Sequence, residues 1–406
     1  MKIDSQGNYD YCRWGERGSV HNIRDMSPNI FFQKYMQTVR QEFMQGAMPA
    51  RCAPCRVMDQ HNKISGRQRQ LLKIGVKLQQ FEKTLASSPW APILANQDFS
   101  QMPQDWQIDL GNYCNSACIF CSPQSSSRLA AEWKKIGFID QLPDANWSND
   151  AELVKKFVDC LKQSKHIQYI HFIGGETMIM PSFKKILQEL IDAGLNQTAT
   201  IGFTTNLTVW DESLIPILEK FQSINLGMSI ESFDSINEYV RWPITQTTMF
   251  ENLQKWVDIS NKLSWLKQIR ITPSCLTIHK ILPIYDYALA NNVSVESCNF
   301  LFRPEILMPS VIPREYRNRI VKEMQQWVDR HNDHSDVLIN TRDPGRVQAQ
   351  LVQDLSSYIN YLVDQPDHSN RLPELMSWLK KIESSRGNSV LTYLPEYEEL
   401  FKSAGY

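Results

Sequence analysis

Three cysteines lie close together in the segment "NYCNSACIFC", residues 112–121. Cys114, Cys118 and Cys121 have the spacing C-x3-C-x2-C. A structural zinc site uses four protein ligands, and the next cysteine or histidine downstream, Cys160, lies beyond a helical pattern. A [4Fe–4S] cluster with three cysteine ligands leaves one iron open to a small molecule. The spacing favours such a cluster, with a zinc loop or three incidental thiols as alternatives.

A second cysteine pattern, "RCAPC", contains Cys52 and Cys55. A C-x2-C pair commonly donates two thiolates to one metal ion, and Cys12 is a candidate third ligand. The chain has 9 cysteines, and this odd number in a long chain argues against a disulfide framework. The remaining three, Cys160, Cys275 and Cys298, lie in apolar patterns and are predicted to be core thiols.

The elements that would position the first three cysteines begin at about residue 103. From there, short apolar runs alternate with helical patterns, which is typical of βα units and a parallel sheet. The predicted strands are residues 106–110, 168–173, 198–203, 224–230, 268–273 and 293–302. Since a full barrel has eight units, six predict an α/β fold with a partial (β/α)6 TIM-like barrel. Reactive groups of such folds lie after the carboxyl ends of the strands, where the cysteine segment stands.

The βα pattern divides the chain into three predicted regions. Residues 1–102 form an N-terminal cysteine-rich and helical module, residues 103–312 the barrel core, and residues 313–406 a helical C-terminal extension. The formal net charge is -1, and no apolar stretch is long enough to span a bilayer. These features predict a cytoplasmic protein without a membrane partner. A nucleic-acid partner is unsupported, although the basic stretch Lys63–Lys77 leaves it open.

The segment "CNSACIFC" resembles the CxxxCxΦC signature of the radical S-adenosylmethionine (radical SAM) superfamily, with Phe120 at the aromatic position. The resemblance implies an enzyme in which Cys114, Cys118 and Cys121 hold a [4Fe–4S] cluster. S-adenosyl-L-methionine would chelate the open iron through its amino and carboxylate groups. One electron, from an external reductant of the flavodoxin or ferredoxin type, would cleave it to methionine and a 5′-deoxyadenosyl radical. That radical would abstract hydrogen from a substrate.

Two further motifs resemble parts of the same superfamily. Gly174, Gly175 and Glu176, in "FIGGETMI", resemble the GGE motif that holds the methionyl amino group. The stretch "SIESFDSINEYVRWP" resembles a motif of peptide-modifying members, and it implies that Ser229 and Arg241 contact the ribose and carboxylate of the cofactor. For Arg241 a surface ion pair is an equal alternative.

Asn206, in "FTTNLT", ends the third predicted strand. This position would allow Asn206 to contact the same ligand, and a turn-forming role is an equal alternative.

The stretch "NIFFQKYMQTVRQEFMQGAMPARCAPC" resembles the tail of the SPASM or twitch module, here placed before the barrel. This implies a possible auxiliary iron–sulfur cluster on Cys12, Cys52 and Cys55, with zinc or no metal as alternatives. Members with this module act mostly on peptides or proteins, so a peptide or protein is the first choice of substrate. The alternatives are modification of a nucleotide, RNA or other small molecule, and a zinc-binding interaction protein without catalysis.

Overall fold

The described part of the protein contains one mixed β-sheet, with both parallel and antiparallel neighbours. The computed structural model describes residues 1–12, 21–45, 49–61, 65–68, 103–164, 167–296, 300–332 and 347–406. Within these residues the sheet has eight strands in the order β2-β1-β3-β4-β5-β6-β7-β8, and all neighbours are parallel except the β1–β2 pair. The strands are β1 Lys2–Ile3, β2 Tyr9–Asp10, β3 Asp105–Asp109, β4 Tyr169–Ile173, β5 Thr200–Thr205, β6 Ser223–Ser229, β7 Leu266–Arg270 and β8 Ser294–Glu296.

Helices follow most of the strands and make up most of the C-terminal region. In the described residues the α-helices are α1 Pro28–Ile30, α2 Gln37–Met44, α3 Ala53–Gln60, α4 Ser127–Lys135, α5 Ala151–Lys162, α6 Pro181–Asp192, α7 Ile215–Leu218, α8 Ile236–Val240, α9 Gln246–Lys262, α10 Leu282–Ala290, α11 Arg314–Arg330, α12 Val347–Asp364, α13 Leu372–Arg386, α14 Val390–Tyr393 and α15 Glu398–Ser403. No helix in the described part of the chain combines the length and apolarity that a bilayer crossing requires.

The two faces of the sheet differ in polarity because side chains alternate along each strand. On the face covered by helices, Phe172 of β4 packs against Phe183 of α6, with ring centroids 5.4 Å apart. Phe203 of β5 packs against Trp256 of α9 at 5.7 Å. This apolar layer contains much of the core and fixes the orientation of the strands.

The opposite face carries polar side chains. The hydroxyl of Tyr169 and Nδ1 of His171 are 2.8 Å apart, and Nη1 of Arg270 lies 3.4 Å from Nε2 of the same histidine. Gly202, beside His171 in the register, leaves space for these side chains, because a Cβ atom there would overlap both Tyr169 and His171. This polar face, which we call the inner face, therefore carries hydrogen-bonded polar side chains instead of a second apolar core.

The predicted α/β class with a parallel sheet is confirmed. All six predicted strands overlap observed ones, with ends displaced by a few residues; β8 ends at Glu296, and residues 297–299 of its predicted range, including Cys298, lie outside the described residues. The prediction missed β1 and β2, which are too short to show an alternating pattern. Consequently the first ten residues, predicted as part of a separate module, include two strands of the main sheet. The partial barrel and the three regional boundaries stay predictions.

We expect Gly202→Ala to lower the free energy of unfolding by about 1–3 kcal/mol, because the added methyl group displaces Tyr169 or His171 in a packed site. Urea unfolding of the full-length protein measures this effect. Gln222→Ala, at an exposed position just before β6, is the control and should stay within about 0.5 kcal/mol of wild type. A wild-type stability for Gly202→Ala would contradict the packing described for the inner face.

Candidate metal and cofactor site

The three central cysteines lie on the loop between β3 and α4, which we call the cysteine loop (residues 111–126). The N-terminus of α4 holds one side of this loop: Ser126 is the N-cap, and its hydroxyl donates to the carbonyl of Ser116 at 2.6 Å. The amide of Cys114 donates to the hydroxyl of Ser127 at 3.2 Å. A side-chain cap thus starts the helix and fixes the loop with the same residues.

The other side of the cysteine loop is held by segments distant in sequence. The amide of Ala117 donates to the carbonyl of Trp242 at 2.7 Å, and the amide of Ile119 donates to the carbonyl of Val240 at 2.9 Å. These carbonyls flank Arg241. The loop therefore has backbone partners at the end of α8, and the two predicted motifs lie directly against each other.

Asn206 anchors the middle of the loop. Its Nδ2 donates to Oδ1 of Asn115 and to Oγ of Ser116, both at 2.9 Å, while its Oδ1 accepts from the amide of Thr208 at 3.0 Å. The side chain is buried. Asn206 was predicted to contact a cofactor; the structure places its side chain within the protein's own hydrogen-bond network beside Cys114.

The three thiols of the loop are neighbours. Burial, and secondarily the Cys118 thiol, raises the pKa of Cys114 to about 12. Burial also raises the pKa of Cys121, and the other two thiols add to that effect. In the described residues no three His, Cys, Asp or Glu side chains converge on a single ion. Cluster ligands need not converge in this way, since each thiolate of an iron–sulfur cluster binds a different iron.

Gly174 and Gly175 bring the end of β4 against the cysteine loop. Both have positive φ angles, +107° and +42°, and a Cβ on Gly175 would overlap the carbonyl of Tyr113. The next amide, that of Glu176, donates to the same carbonyl at 2.7 Å. Glycine is required here because two backbone segments touch.

The Glu176 carboxylate is buried between β4 and β5. It accepts from the amide of Asn206 at 2.5 Å and from the amide of Met178 at 3.1 Å. Burial outweighs these hydrogen bonds and raises its pKa from the usual 4.5 to about 7. A carboxylate in this position is suited to an ammonium partner, which would compensate its desolvation.

Arg241 lies beside the thiols as a buried cation. Its Nη1 donates to Oε1 of Glu231 at 2.9 Å, and its guanidinium lies 5.8 Å from the Phe120 ring centroid. Within the described part of the chain, its buried Nε has no hydrogen-bond partner. Such a donor calls for an acceptor, so an anionic group beside Cys118 fits this environment. Ser229 is half-buried at the end of β6, on the polar inner face.

Residues 108–265 match the radical SAM superfamily. This radical SAM segment runs from the end of β3 to the residue before β7, and it contains the cysteine loop, Gly174–Glu176, Asn206, Ser229 and Arg241. The match supports membership of that superfamily, although it spans less than half of the chain. No curated protein matches the chain.

Solved structures with S-adenosylmethionine ligands show a distant likeness to the chain. Streptococcus suis SuiB bound to S-adenosylmethionine is 14% identical, and the alignment covers 66% of this chain and 58% of that chain, with a TM-score of 0.37. Native anSMEcpe with bound AdoMet is 15% identical, with 56% of this chain and 61% of that chain covered and a TM-score of 0.41. The chain thus spans less than two thirds of either protein. At these identities and TM-scores, the likeness carries no inference about what this chain binds.

Outside the radical SAM segment, the three N-terminal cysteines also lie together. The pKa of Cys52 is raised to about 11 by burial and by the neighbouring Cys12 and Cys55 thiols. Cys55 is buried at the start of α3, and this burial is the main cause of its raised pKa. These thiols are near enough to influence one another's pKa, and a metal site on them stays a prediction.

Several residues that border the cysteine loop were not among the predicted site residues. Glu231 lies inside the quoted stretch "SIES", and its position two residues after Ser229 was the available signal. Arg386 and Glu132 also contact or border the cysteine loop, and nothing in their local sequence indicates it. Cys160 and Cys275 are buried, as predicted for core thiols.

The raised pKa of Glu176 predicts a pH-dependent stability. The folded metal-free protein keeps this proton up to a pH of about 7, whereas the unfolded chain releases it near 4.5, so the group destabilises the fold as the pH rises between these values. We expect the stability of wild type relative to Glu176→Gln to fall by about 3 kcal/mol between pH 4 and pH 8.

Urea unfolding at both pH values measures this difference. Glu219→Gln, which removes one carboxylate at an exposed position, is the control. If the difference in unfolding free energy between wild type and Glu176→Gln is the same at both pH values, burial does not keep Glu176 protonated.

Proposed function

We propose that the protein is a radical SAM enzyme that binds a [4Fe–4S] cluster through Cys114, Cys118 and Cys121. One observation carries the proposal: three neighbouring thiols, and not four, lie on the loop that follows β3, within the radical SAM segment. Bound there, the cluster and S-adenosyl-L-methionine would supply one-electron reductive cleavage of the sulfonium and hydrogen abstraction from a substrate.

The protein's own residues would prepare this site for bound groups. Thiols with raised pKa values must lose their protons before they can act as metal ligands, so cluster binding would be coupled to proton release. Arg241 would stabilise the resulting negative charge, since it is a buried cation beside all three thiols. Phe120, packed under Arg241, would restrict access of water to the guanidinium.

The cofactor would lie at the strand ends next to the cysteine loop. We propose that Glu176 and the backbone of Gly174 and Gly175 hold the amino group of S-adenosyl-L-methionine, and that Ser229 and Arg241 contact its ribose and carboxylate. Asn206 would act mainly through Asn115 and Ser116, to which it is hydrogen-bonded. This arrangement supports a partial (β/α)6 barrel in which β3 to β8 surround the reaction space.

We further propose a cytoplasmic enzyme that receives its electron from a flavodoxin or ferredoxin type of reductant. A peptide or protein is the proposed substrate. The support for this class is the resemblance of "SIESFDSINEYVRWP" to peptide-modifying members. The polar inner face, with His171 and Arg270 in contact, offers hydrogen-bonding groups to such a substrate.

Anaerobic reconstitution with iron and sulfide tests the central proposal. We expect wild type to become brown, to bind iron, and to release 5′-deoxyadenosine when dithionite and S-adenosyl-L-methionine are added. Cys114→Ala should lower that release by at least about 100-fold, because losing a ligand costs more than losing one of its supporting contacts. Cys275→Ala, which changes a buried thiol elsewhere in the fold, is the matched control. A colourless, zinc-loaded wild type without 5′-deoxyadenosine would overturn the proposal.

We also propose an auxiliary iron–sulfur cluster on Cys12, Cys52 and Cys55, as an extension of the SPASM or twitch resemblance. The mutual proximity of these thiols supports it. In reconstituted protein, Cys52→Ala should reduce the iron content while the Cys114-dependent 5′-deoxyadenosine release persists. Iron and zinc analysis of both proteins measures this. An unchanged iron content contradicts the auxiliary cluster, and zinc lost in the variant would identify a zinc site instead.

A further inference from the structure

The side chain of Arg386, the last residue of helix α13, contacts the cysteine loop. The Arg386 side chain is 0% exposed. Its Nε and Nη2 donate to the two carboxylate oxygens of Glu132 at 2.8 and 2.7 Å, and Nη2 also donates to the carbonyl of Ala117 at 2.6 Å. Ala117 immediately precedes Cys118. A residue outside the radical SAM segment therefore contacts the backbone that carries a predicted cluster ligand.

The contact fixes the Ala117 residue from two sides. Its amide donates to the carbonyl of Trp242, while its carbonyl accepts from Arg386. The Arg386 guanidinium lies 5.2 Å from the Trp242 ring centroid, and Nη1 donates to the carbonyl of Tyr239 at 3.4 Å. Arg386 thus joins the cysteine loop, α4 and the end of α8. A planar guanidinium with several donors is suited to this, whereas a lysine ammonium would satisfy fewer partners.

Helix α13 is itself anchored where Arg386 leaves it. One turn earlier, the buried carboxylate of Glu383 accepts from the hydroxyl of Tyr239 at 2.8 Å and from the hydroxyl of Tyr406 at 2.6 Å. Gly387, with a φ of +68°, ends the helix directly after Arg386. The position of the guanidinium is consequently set by the fold of the C-terminal region.

We propose that Arg386 is a positioning residue for the cysteine loop, so that the ligand geometry around Cys118 depends on the C-terminal extension. The proposal rests on the proposed function in one respect: the loop is taken to hold the cluster. A second consequence follows from charge. Replacing Arg386 with a neutral residue leaves the Glu132 carboxylate uncompensated beside the cysteine loop, and this negative charge disfavours the more negative, reduced form of a thiolate-bound cluster, so the midpoint potential shifts to more negative values.

The first experiment uses the metal-free, full-length protein and needs no cluster. Amide hydrogen exchange of residues 116–121 should be about tenfold faster in Arg386→Gln than in wild type, because a charge-assisted hydrogen bond to the loop is lost. Arg371→Gln, at the other end of the same helix and in an exposed ion pair with Glu374, is the control and should exchange like wild type. Wild-type exchange of the loop in Arg386→Gln overturns the proposal.

The second experiment uses the reconstituted protein. Arg386→Gln should change the electron paramagnetic resonance signal of the reduced cluster and shift its midpoint potential to more negative values. Arg386→Lys retains the charge but not the bidentate contact. We therefore expect its midpoint potential to stay close to that of wild type, while the hydrogen exchange of residues 116–121 is faster. A variant with both signal and potential unchanged contradicts the proposal.

Two controls keep the outcomes distinct. If Arg386→Gln fails to fold, hydrogen exchange is measured on Arg386→Lys and on the double variant Glu132→Gln with Arg386→Gln, because neither leaves Glu132 as an unpaired buried anion. Wild-type exchange of residues 116–121 in both variants overturns the proposal. If the wild-type protein binds no cluster, only the proposed function is overturned. The hydrogen-exchange result on the metal-free protein still decides whether Arg386 positions the cysteine loop.

Discussion

Hydrogen bonds from several separate segments of the chain hold the cysteine loop at the end of β3. The loop lacks a strand or helix over residues 111–126, so its own secondary structure cannot fix three thiols in space. The N-terminus of α4, Asn206, the carbonyls on either side of Arg241, and Arg386 each supply part of the constraint. Because buried backbone groups need partners, the rest of the site is arranged around these bonds.

Buried charge is concentrated on one side of this loop. Arg241 is paired with Glu231, and Arg386 is paired with Glu132. Removing two ions from water costs several kcal/mol each, and mutual attraction offsets this cost only with good geometry and further hydrogen bonds. Glu231 also accepts from the amide of Thr272 at 2.6 Å, and Arg386 donates to Ala117. We therefore expect the Arg241–Glu231 and Arg386–Glu132 pairs to fix side-chain geometry and electrostatic potential beside the loop more than to stabilise the fold.

Local sequence patterns identify which candidate residues follow the ends of strands, and the structure places these residues at one edge of the sheet. The cysteine loop and Gly174 to Glu176 each follow an apolar strand directly, and parallel strands bring such positions to one edge, whereas Arg241 lies beyond β6 at the end of α8. Asn206 was assigned to the correct edge, but its contacts were not predicted, since a side-chain amide gives no indication of its partners. Strands of two residues, such as β1 and β2, carry too little pattern to be recognised.

The contacts of Arg386 also could not be predicted from the sequence, and the reason differs from that for the short strands. Its helix has an ordinary pattern, and its guanidinium meets Ala117, Glu132 and Tyr239 only in the folded protein. The same applies to Glu132, whose carboxylate is defined by the partner that reaches it. Such long-range pairs depend on tertiary packing, whereas the local motifs depend on chain order.

The bond between Arg386 and Ala117 joins residues 269 positions apart in the chain. During synthesis, when domains fold from the N-terminal end, the cysteine loop emerges well before the helix that completes its support. The residues of all eight strands precede α13 in the chain, so the Ala117 carbonyl gains its Arg386 partner only after every strand has been made. This support of the cysteine loop can therefore be completed only near the end of synthesis, when the residues of the whole sheet are already available.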